Sequence, residues 1–453
     1  KKLNTISDQI DRFVRKLNEN LCEEQIVSIA RQCGFCQRQS KITPVMFLKS
    51  VLFDQMQIDQ PTLQQHAFVM LEEHGQRVSK QGMDKKFNNK AVQFIENLFE
   101  QYLKYQLSTD ILPTKLAEKF KAVRIMDSTE FQVPAHLAAA FPGFNGAGTG
   151  ACAHIQFEYD IISGVVKHLF LGNALVSDVK HAQAQLDTLN ENDLVLRDLG
   201  YYTIDTYSEI EKRKAFYVSR LKPYISIYER QGDVFKELTY QEIHKRLKKS
   251  TVRYLDLQVH IGKAIKHPVR LIASLLDESS AAKRRKREKR AKRQLKDHDK
   301  PIHELNLFIT NLTADVVSTE EVYELYKIRW QIELMFKTWK SILKIDSVRP
   351  MKASRLKCYL LSKLLWILVS LDISKTFKNR ILKNEKRMIS PYKSFALIKM
   401  QAALLKKILF SSHQKQIRSW LKKMYTILID YGLKEQRAGK PNLIKLLQLE
   451  ASY

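Results

Sequence analysis

Tyr326-Lys327-Ile328-Arg329-Trp330-Gln331-Ile332-Glu333-Leu334-Met335-Phe336-Lys337-Thr338-Trp339-Lys340 is the stretch on which the reading of this chain turns. Taken as an α-helix with Tyr326 at zero, Arg329, Glu333, Lys337 and Lys340 fall at roughly 300°, 340°, 20° and 320°. One phenol, one guanidinium, one carboxylate and two ammoniums then share a narrow stripe. Leu325, Ile328, Ile332, Phe336, Trp339 and Leu343 form a neighbouring apolar stripe that should pack on a core. Such a pattern also suits a surface helix with ion pairs from Arg329 to Glu333 and from Glu333 to Lys337. The rest of the chain must decide between the two.

Working outward, the segment just upstream, Leu305 to Leu312, reads as a strand, and one helix is expected from Ser318 to Lys340. Two further acids stand at the ends of apolar runs. Ala122-Val123-Arg124-Ile125-Met126 reads as a buried strand delivering Asp127, followed by Ser128-Thr129. Asp193-Leu194-Val195-Leu196-Arg197 reads as another, delivering Asp198 before Leu199-Gly200-Tyr201. Between them lie a hairpin, Ala153–Ile161 with Val165–Val176 around Ser163-Gly164, and a helix over 178–190. A helix over 203–214 and a strand over 215–221 complete a mixed α/β sheet. Residues 222–304 interrupt it with strands at 233–238, 252–261 and 268–276 and a basic helix at 240–249.

The chain has 453 residues, 76 Lys plus Arg against 48 Asp plus Glu, and a formal net charge of +28. That excess points to a polyanionic partner, nucleic acid before an anionic membrane. The most apolar run, Leu364–Leu371, falls far short of the ~20 residues of a spanning helix. Lys1-Lys2-Leu3-Asn4 begins no signal-peptide core. Five cysteines form no even framework, so a reducing cytoplasm is the expected compartment. Cys33-Gly34-Phe35-Cys36 has CxxC spacing but no second pair beside it. Buried helix-end packing accounts for it better than metal or redox chemistry.

Residues 1–112 read as a helical, DNA-binding domain. Thr43-Pro44 and Pro61-Thr62 open helices, and Gly75 ends one. The outline helix, glycine turn, short basic helix over 61–88 suits a helix-turn-helix, with Lys80, Gln81, Lys85 and Lys86 as groove or phosphate contacts. A plain bundle fits the same pattern. The glycine-rich Pro142–Gly150 precedes a strand rather than a helix, so a hairpin loop suits it better than a cofactor cradle. In Lys283–Lys296 ten of fourteen residues are basic. Either the run is solvated or disordered, or Arg284, Arg285, Arg287 and their neighbours contact phosphate and order on DNA. Residues 351–453 read as a helical, basic domain with Trp366 and Trp420 in its core.

Three carboxylates in a basic chain suit a pair of Mg²⁺ ions, with Mn²⁺ as a substitute, since hard cations prefer oxygen ligands. Two such ions about 4 Å apart activate an attacking water or 3′-hydroxyl and stabilise the leaving oxygen. In that arrangement Asp127 bridges the ions while Asp198 and Glu333 hold one each.

The spacing Tyr326, two residues, Arg329, three residues, Glu333, six residues, Lys340 resembles the Y-R-E-K signature of bacterial insertion-sequence DDE transposases, the family conventionally numbered four. Asp127-Ser128-Thr129 with Phe131, and Asp198-Leu199-Gly200-Tyr201, resemble the segments around its first and second acids. Gly34-Phe35, Gln37-Arg38, Thr43-Pro44, Ser79-Lys80-Gln81 and Phe87-Asn88 are similar to its N-terminal region. The resemblance implies an α/β fold: an RNase H-like catalytic core (113–221 and 305–350) with a β-rich insertion (222–304), flanked by the helical domains. It implies Asp127, Asp198 and Glu333 as catalytic and metal-holding residues, and Tyr326, Arg329 and Lys340 as phosphate contacts with Lys337 beside them. Trp330 then stacks on an unpaired base of a hairpin intermediate, or else is a buried core residue. Leu305–Phe308 holds no second tryptophan for that task. The implied activity is cut-and-paste DNA transposition: recognition of terminal inverted repeats, nicking, hairpin formation and strand transfer, by a homodimer in a synaptic complex with transposon-end and target DNA, in a bacterial cytoplasm at the nucleoid. The alternatives are a metal-dependent nuclease without strand transfer, and a DNA-binding protein that does not cut.

Overall fold

The structure, a computed structural model, describes residues 5–105, 114–144, 148, 150–201, 203–290, 301–410 and 414–435, with the backbone alone for 287–290. The chain begins with helices α1 (Ile6–Leu21), α2 (Glu23–Gln32), α3 (Pro44–Lys49), α4 (Gln55–Gln57), α5 (Leu63–His74), α6 (Lys80–Lys86), α7 (Asn89–Lys104) and α8 (Lys115–Lys119). Their starts are written in the sequence. Thr5, Thr43, Thr62, Ser79 and Asn88 each accept a hydrogen bond from a backbone N–H of the first turn, which would otherwise lack a partner. A π-helical turn, Ser50–Asp54, joins α3 to α4.

The sheet is laid down by β1 (Ala122–Gln132), β2 (Cys152–Asp160) and β3 (Val166–Asn173), then α9 (Asp178–Ala184), β4 (Asp193–Arg197), α10 (Ile204–Lys212) and β5 (Phe216–Arg220). Next come β6 (Ile227–Gln231), β7 (Val234–Glu237), α11 (Tyr240–Lys249), β8 (Leu255–Ile261), β9 (His267–Leu275), α12 (Glu278–Arg290) and β10 (Leu305–Thr310). The ten strands form one sheet in the order β3-β2-β1-β4-β5-β10-β9-β8-β6-β7. β1, β4 and β5 are parallel neighbours, and every other pairing is antiparallel. The excursion after β5 therefore extends the same sheet, because β10 returns between β5 and β9 and pairs with both. β6 went unread in the sequence, where Tyr228-Glu229-Arg230 masked a strand that is only half-buried.

Side chains alternate between two cores, as the period of two in a strand requires. Leu194 and Leu196 of β4 join the helical core, while Val195 between them joins a second core under α10 and α11. The chain then continues as α13 (Thr319–Ile328), α14 (Trp330–Leu343), α15 (Ala353–Glu385), α16 (Pro391–Met400), α17 (Ala402–Ile408) and α18 (Gln414–Tyr431). α15 has 33 residues and is buried over most of its length, against α1, α7 and α18. Trp366 and Trp420 are core residues, as expected. No described helix is long and apolar enough to cross a membrane.

Candidate active site

Parallel pairing of β1 with β4 ends at Met126 opposite Arg197. Asp127 and Asp198 are the next residues on each chain, so the register sets the two acids side by side. Asp198 leaves the end of its strand, as expected. Asp127 does not: β1 runs on to Gln132, paired only with β2, from Asp127 opposite Phe157 to Gln132 opposite Cys152. The acid thus stands where the sheet splits.

Glu333 comes from α14. The single helix expected over Ser318–Lys340 is two helices meeting at Arg329. There the backbone bonds close over three residues, Arg329 N–H to the Tyr326 carbonyl at 3.2 Å and Ile332 N–H to the Arg329 carbonyl at 3.1 Å. Such a turn is tighter than an α-helical one. The apolar stripe is buried throughout, from Leu325 to Leu343. Trp339 sets its ring 4.8 Å from that of Phe157, the residue opposite Asp127. That packing presses the polar stripe against the two acids.

Two side chains of the tight turn gather all three carboxylates. The Tyr326 hydroxyl donates to Asp198 Oδ1 at 3.1 Å. Arg329 donates from Nη1 to Asp127 Oδ2 at 3.1 Å and from Nη2 to Glu333 Oε1 at 2.7 Å. Burial, together with the charges of Asp198 and Glu333, pushes the Asp127 carboxyl up to about 6, against the Ser128 backbone N–H and Arg329. Burial and the charge of Asp198 also raise the Tyr326 phenol, so it stays a donor. Burial works against the Arg329 charge, but the carboxylates of Asp198, Asp127 and Glu333 hold it protonated.

Among the described residues, no group of three or more His, Cys, Asp or Glu side chains is arranged to hold a metal ion. Asp127 and Glu333 instead share the guanidinium of Arg329, and Asp198 accepts from Tyr326. The donor set still fits a divalent cation: all its ligating atoms are hard oxygens, and Asp127 is a desolvated carboxylate whose neighbours' charges call for positive charge. Arg329 supplies that charge in the structure.

The other expected residues divide. Trp330 is 47% exposed, which overturns its reading as a buried core residue. Lys337 sets its Nζ 4.2 Å from the Trp330 ring; the expected pair with Glu333 does not form, because Arg329 already holds that carboxylate. Lys340 is half-buried and has no hydrogen bond or ion pair among the described residues. Lys80, Gln81 and Lys85 of α6 face solvent. Lys86 is half-buried and donates to Ser40 at 2.8 Å, which turns it inward. Gly75 ends α5 in the left-handed region, φ 63°, and α6 packs back on α5.

The run from Lys283 is not a solvated loop where it is described, but part of α12. Arg284 donates from Nη1 to the Leu305 carbonyl at 2.7 Å, and burial brings its pKa down to about 10. Arg285 is held by Glu278 and by Glu304 at 3.3 Å. These two therefore brace β10 against α12. The side chain of Arg287 and residues 291–300 lie outside the described residues, as do Asn145–Ala147 and Thr149 of the glycine-rich loop.

One anchoring residue escaped the sequence. Arg270 of β9 is buried and grips Asp256 at 2.6 Å and the carbonyls of Leu312 at 3.2 Å and Val317 at 2.7 Å, while Thr319 donates to Asp256 at 2.6 Å. This clamp fixes the start of α13. Arg270 inside the otherwise apolar Val269–Ala273 was its one signal.

The profile of the Transposase DDE domain family matches residues 118–369, more than half of the chain. The chain belongs to that family. It is 28% identical over 466 residues to the "Transposase for insertion sequence element IS231C" of Bacillus thuringiensis subsp. berliner, covering 99% of this chain and 97% of that one. It is 27% identical over 457 residues to the "Transposase for insertion sequence element IS1151" of Clostridium perfringens, covering 96% of each. The piggyBac transposase synaptic complex with hairpin DNA overlays 97% of this chain and 88% of its own with a TM-score of 0.43 at 9% identity.

Proposed function

We propose that this chain is an insertion-sequence transposase that binds terminal inverted repeats and moves its element by cut-and-paste DNA transposition. The observation that carries the reading is the gathering of Asp127, Asp198 and Glu333 by Tyr326 and Arg329 of a single turn. The order β3-β2-β1-β4-β5, with β1, β4 and β5 parallel, supports an RNase H-like core. Relatives named as insertion-sequence transposases along nearly the whole chain support the activity.

In this reading Asp127, Asp198 and Glu333 hold two Mg²⁺ ions, or Mn²⁺ in their place, which supply Lewis-acid activation of the attacking oxygen and stabilisation of the leaving one. Asp127 takes part as the carboxylate, the form that bound cations would favour against the burial that raises its pKa. Arg329 trades carboxylates for a phosphate at the transposon end, where its planar fork suits two oxygens at once. Tyr326 and Lys340 contact neighbouring phosphates. Trp330, exposed beside Lys337, offers a face on which an unpaired base stacks, as a hairpin intermediate requires. Lys80, Gln81 and Lys85 read the repeat from a helix-turn-helix, and residues 1–112 and 351–453 serve as DNA-binding and helical C-terminal domains. Two copies pair the ends before cutting.

The second reading, a nuclease without strand transfer, uses the same acids. Incubation with labelled element ends, target DNA and Mg²⁺ separates the two. The proposal expects nicked, hairpin and joined products; nicked ends that never join would favour the nuclease, and intact ends would contradict both.

A further inference from the structure

Behind the sheet, on the face away from α14, lies a second polar cluster that the proposed chemistry does not use. Strand alternation puts it there: Asp127 and Phe157 point towards α14, so Ser128 and its cross-strand partner Gln156 point the other way, towards α9. Gln156 is fully buried and His154 and Tyr201 nearly so, in a region where a polar group without a partner would be costly.

The connections run in one chain. The Tyr201 hydroxyl donates to Gln156 Oε1 at 2.9 Å. The Gln156 amide donates to Asp178 Oδ1, the first residue of α9, at 2.5 Å. His154 Nε2 lies 3.4 Å from the same oxygen and 3.1 Å from Gln156 Nε2. Burial works to raise the Asp178 pKa, yet hydrogen bonds from His154, Gln156 and Ser128 hold it below the usual carboxylate range. Ser128 stands opposite Gln156 in the pairing of β1 with β2.

Both ends of this chain are tied to a proposed metal-holding acid. Ser128 follows Asp127 directly. Tyr201 closes the turn after Asp198, its N–H donating to the Asp198 carbonyl at 3.1 Å. Asp178 supports that turn from behind, with Oδ2 only 3.4 Å from where a Cβ on Gly200 would stand. Asp198 lies one residue past the end of β4 at Arg197, beyond the last pair with β1 and with β5.

We infer that Tyr201, Gln156 and Asp178 are positioning residues that set the separation of Asp127 and Asp198, and thereby the affinity of the site for its divalent cation. The inference rests on the functional reading above, in which those two acids hold metal. Groups that orient metal ligands from behind are expected to change metal affinity by about 10- to 100-fold when removed.

The test uses the full chain with a labelled element end and Mn²⁺, comparing wild type with Tyr201→Phe, which removes one oxygen, and Gln156→Leu. Mn²⁺ binding is followed by the spectrum of the free ion, and cleavage by gel. The expected result is about a tenfold rise in the Mn²⁺ concentration for half-saturation and for half-maximal cleavage. End affinity without metal stays at the wild-type value, the thermal midpoint of Tyr201→Phe falls because buried Gln156 Oε1 loses its donor, and excess Mn²⁺ restores its cleavage. Wild-type Mn²⁺ affinity in both variants would overturn the inference alone. So would a loss of cleavage in Tyr201→Phe that excess Mn²⁺ does not restore. A wild-type chain that neither binds Mn²⁺ nor cuts would overturn the functional reading, and this inference with it.

Discussion

Arg329 sets positive charge between two of the three acids, Asp127 and Glu333, while Tyr326 holds Asp198. Each of the two terminal nitrogens of Arg329 meets a different carboxylate, and the side chain is only partly exposed. The balance is incomplete at Asp127, whose pKa of about 6 lies above the 3.8 of an unfolded chain. Below pH 4 the group is neutral in both states and costs nothing. Between the two values the unfolded chain ionises first, so folding loses stability as pH rises, and the full cost is present above 6. Two units correspond to at most about 3 kcal/mol. In chelator, Asp127→Asn should therefore be more stable than wild type at pH 8, with the gain fading towards pH 4, as measured by urea denaturation. A pH-independent difference would contradict it. Lys340 poses the opposite case, a cation beside the site with no protein partner among the described residues. Lys340→Ala should weaken end binding and lower the slope of log affinity against log salt by about one unit. An unchanged slope would make it a surface charge only.

At the scale of elements, the sequence was most legible where a period was clean. The buried stripe of α13 and α14, the strand β4 and the caps of the N-terminal helices follow from residue pattern alone. The break at Arg329 did not, because no proline or glycine marks it; the turn tightens where its side chain meets Asp127 and Glu333, a contact made 202 residues away in sequence. Asp127 looked like a strand end for a related reason. Polar Ser128, Thr129, Glu130 and Gln132 broke the apolar run, yet β2 supplies partners for them. The clamp on α13 was equally hidden, since Arg270 and Asp256 find each other only once β8 and β9 pair. Arg270→Met would strand Asp256 and two carbonyls. It should cost roughly 2–4 kcal/mol, below the value for a fully buried pair because Asp256 keeps part of its surface. Urea unfolding checks this; a loss under 1 kcal/mol would show that the clamp is ornamental to stability.

Across the whole molecule, the sheet and the helical core tie distant parts of the chain together. The strands of residues 227–275 continue the sheet that carries Asp127 and Asp198. Lys16 of α1 and Tyr102 of α7 both donate to Asp372 of α15, at 2.5 and 2.9 Å, inside the core. Nothing in the local sequence around Lys16 announces a partner 356 residues away. Lys16→Met should leave that carboxylate buried and poorly compensated and cost about 3–5 kcal/mol in urea unfolding; a near-neutral change would mean that Tyr102 alone satisfies it. The net charge of +28 was the most legible global property, and the structure leaves Lys80, Lys85, Lys337 and Lys340 available to an anionic partner. The central claim is that the acids of the split sheet, with Glu333, cut DNA with metal. The most direct measurement is Asp198→Asn assayed for both end binding and Mg²⁺-dependent cleavage. The account predicts wild-type end affinity with cleavage abolished; undiminished cleavage would contradict it.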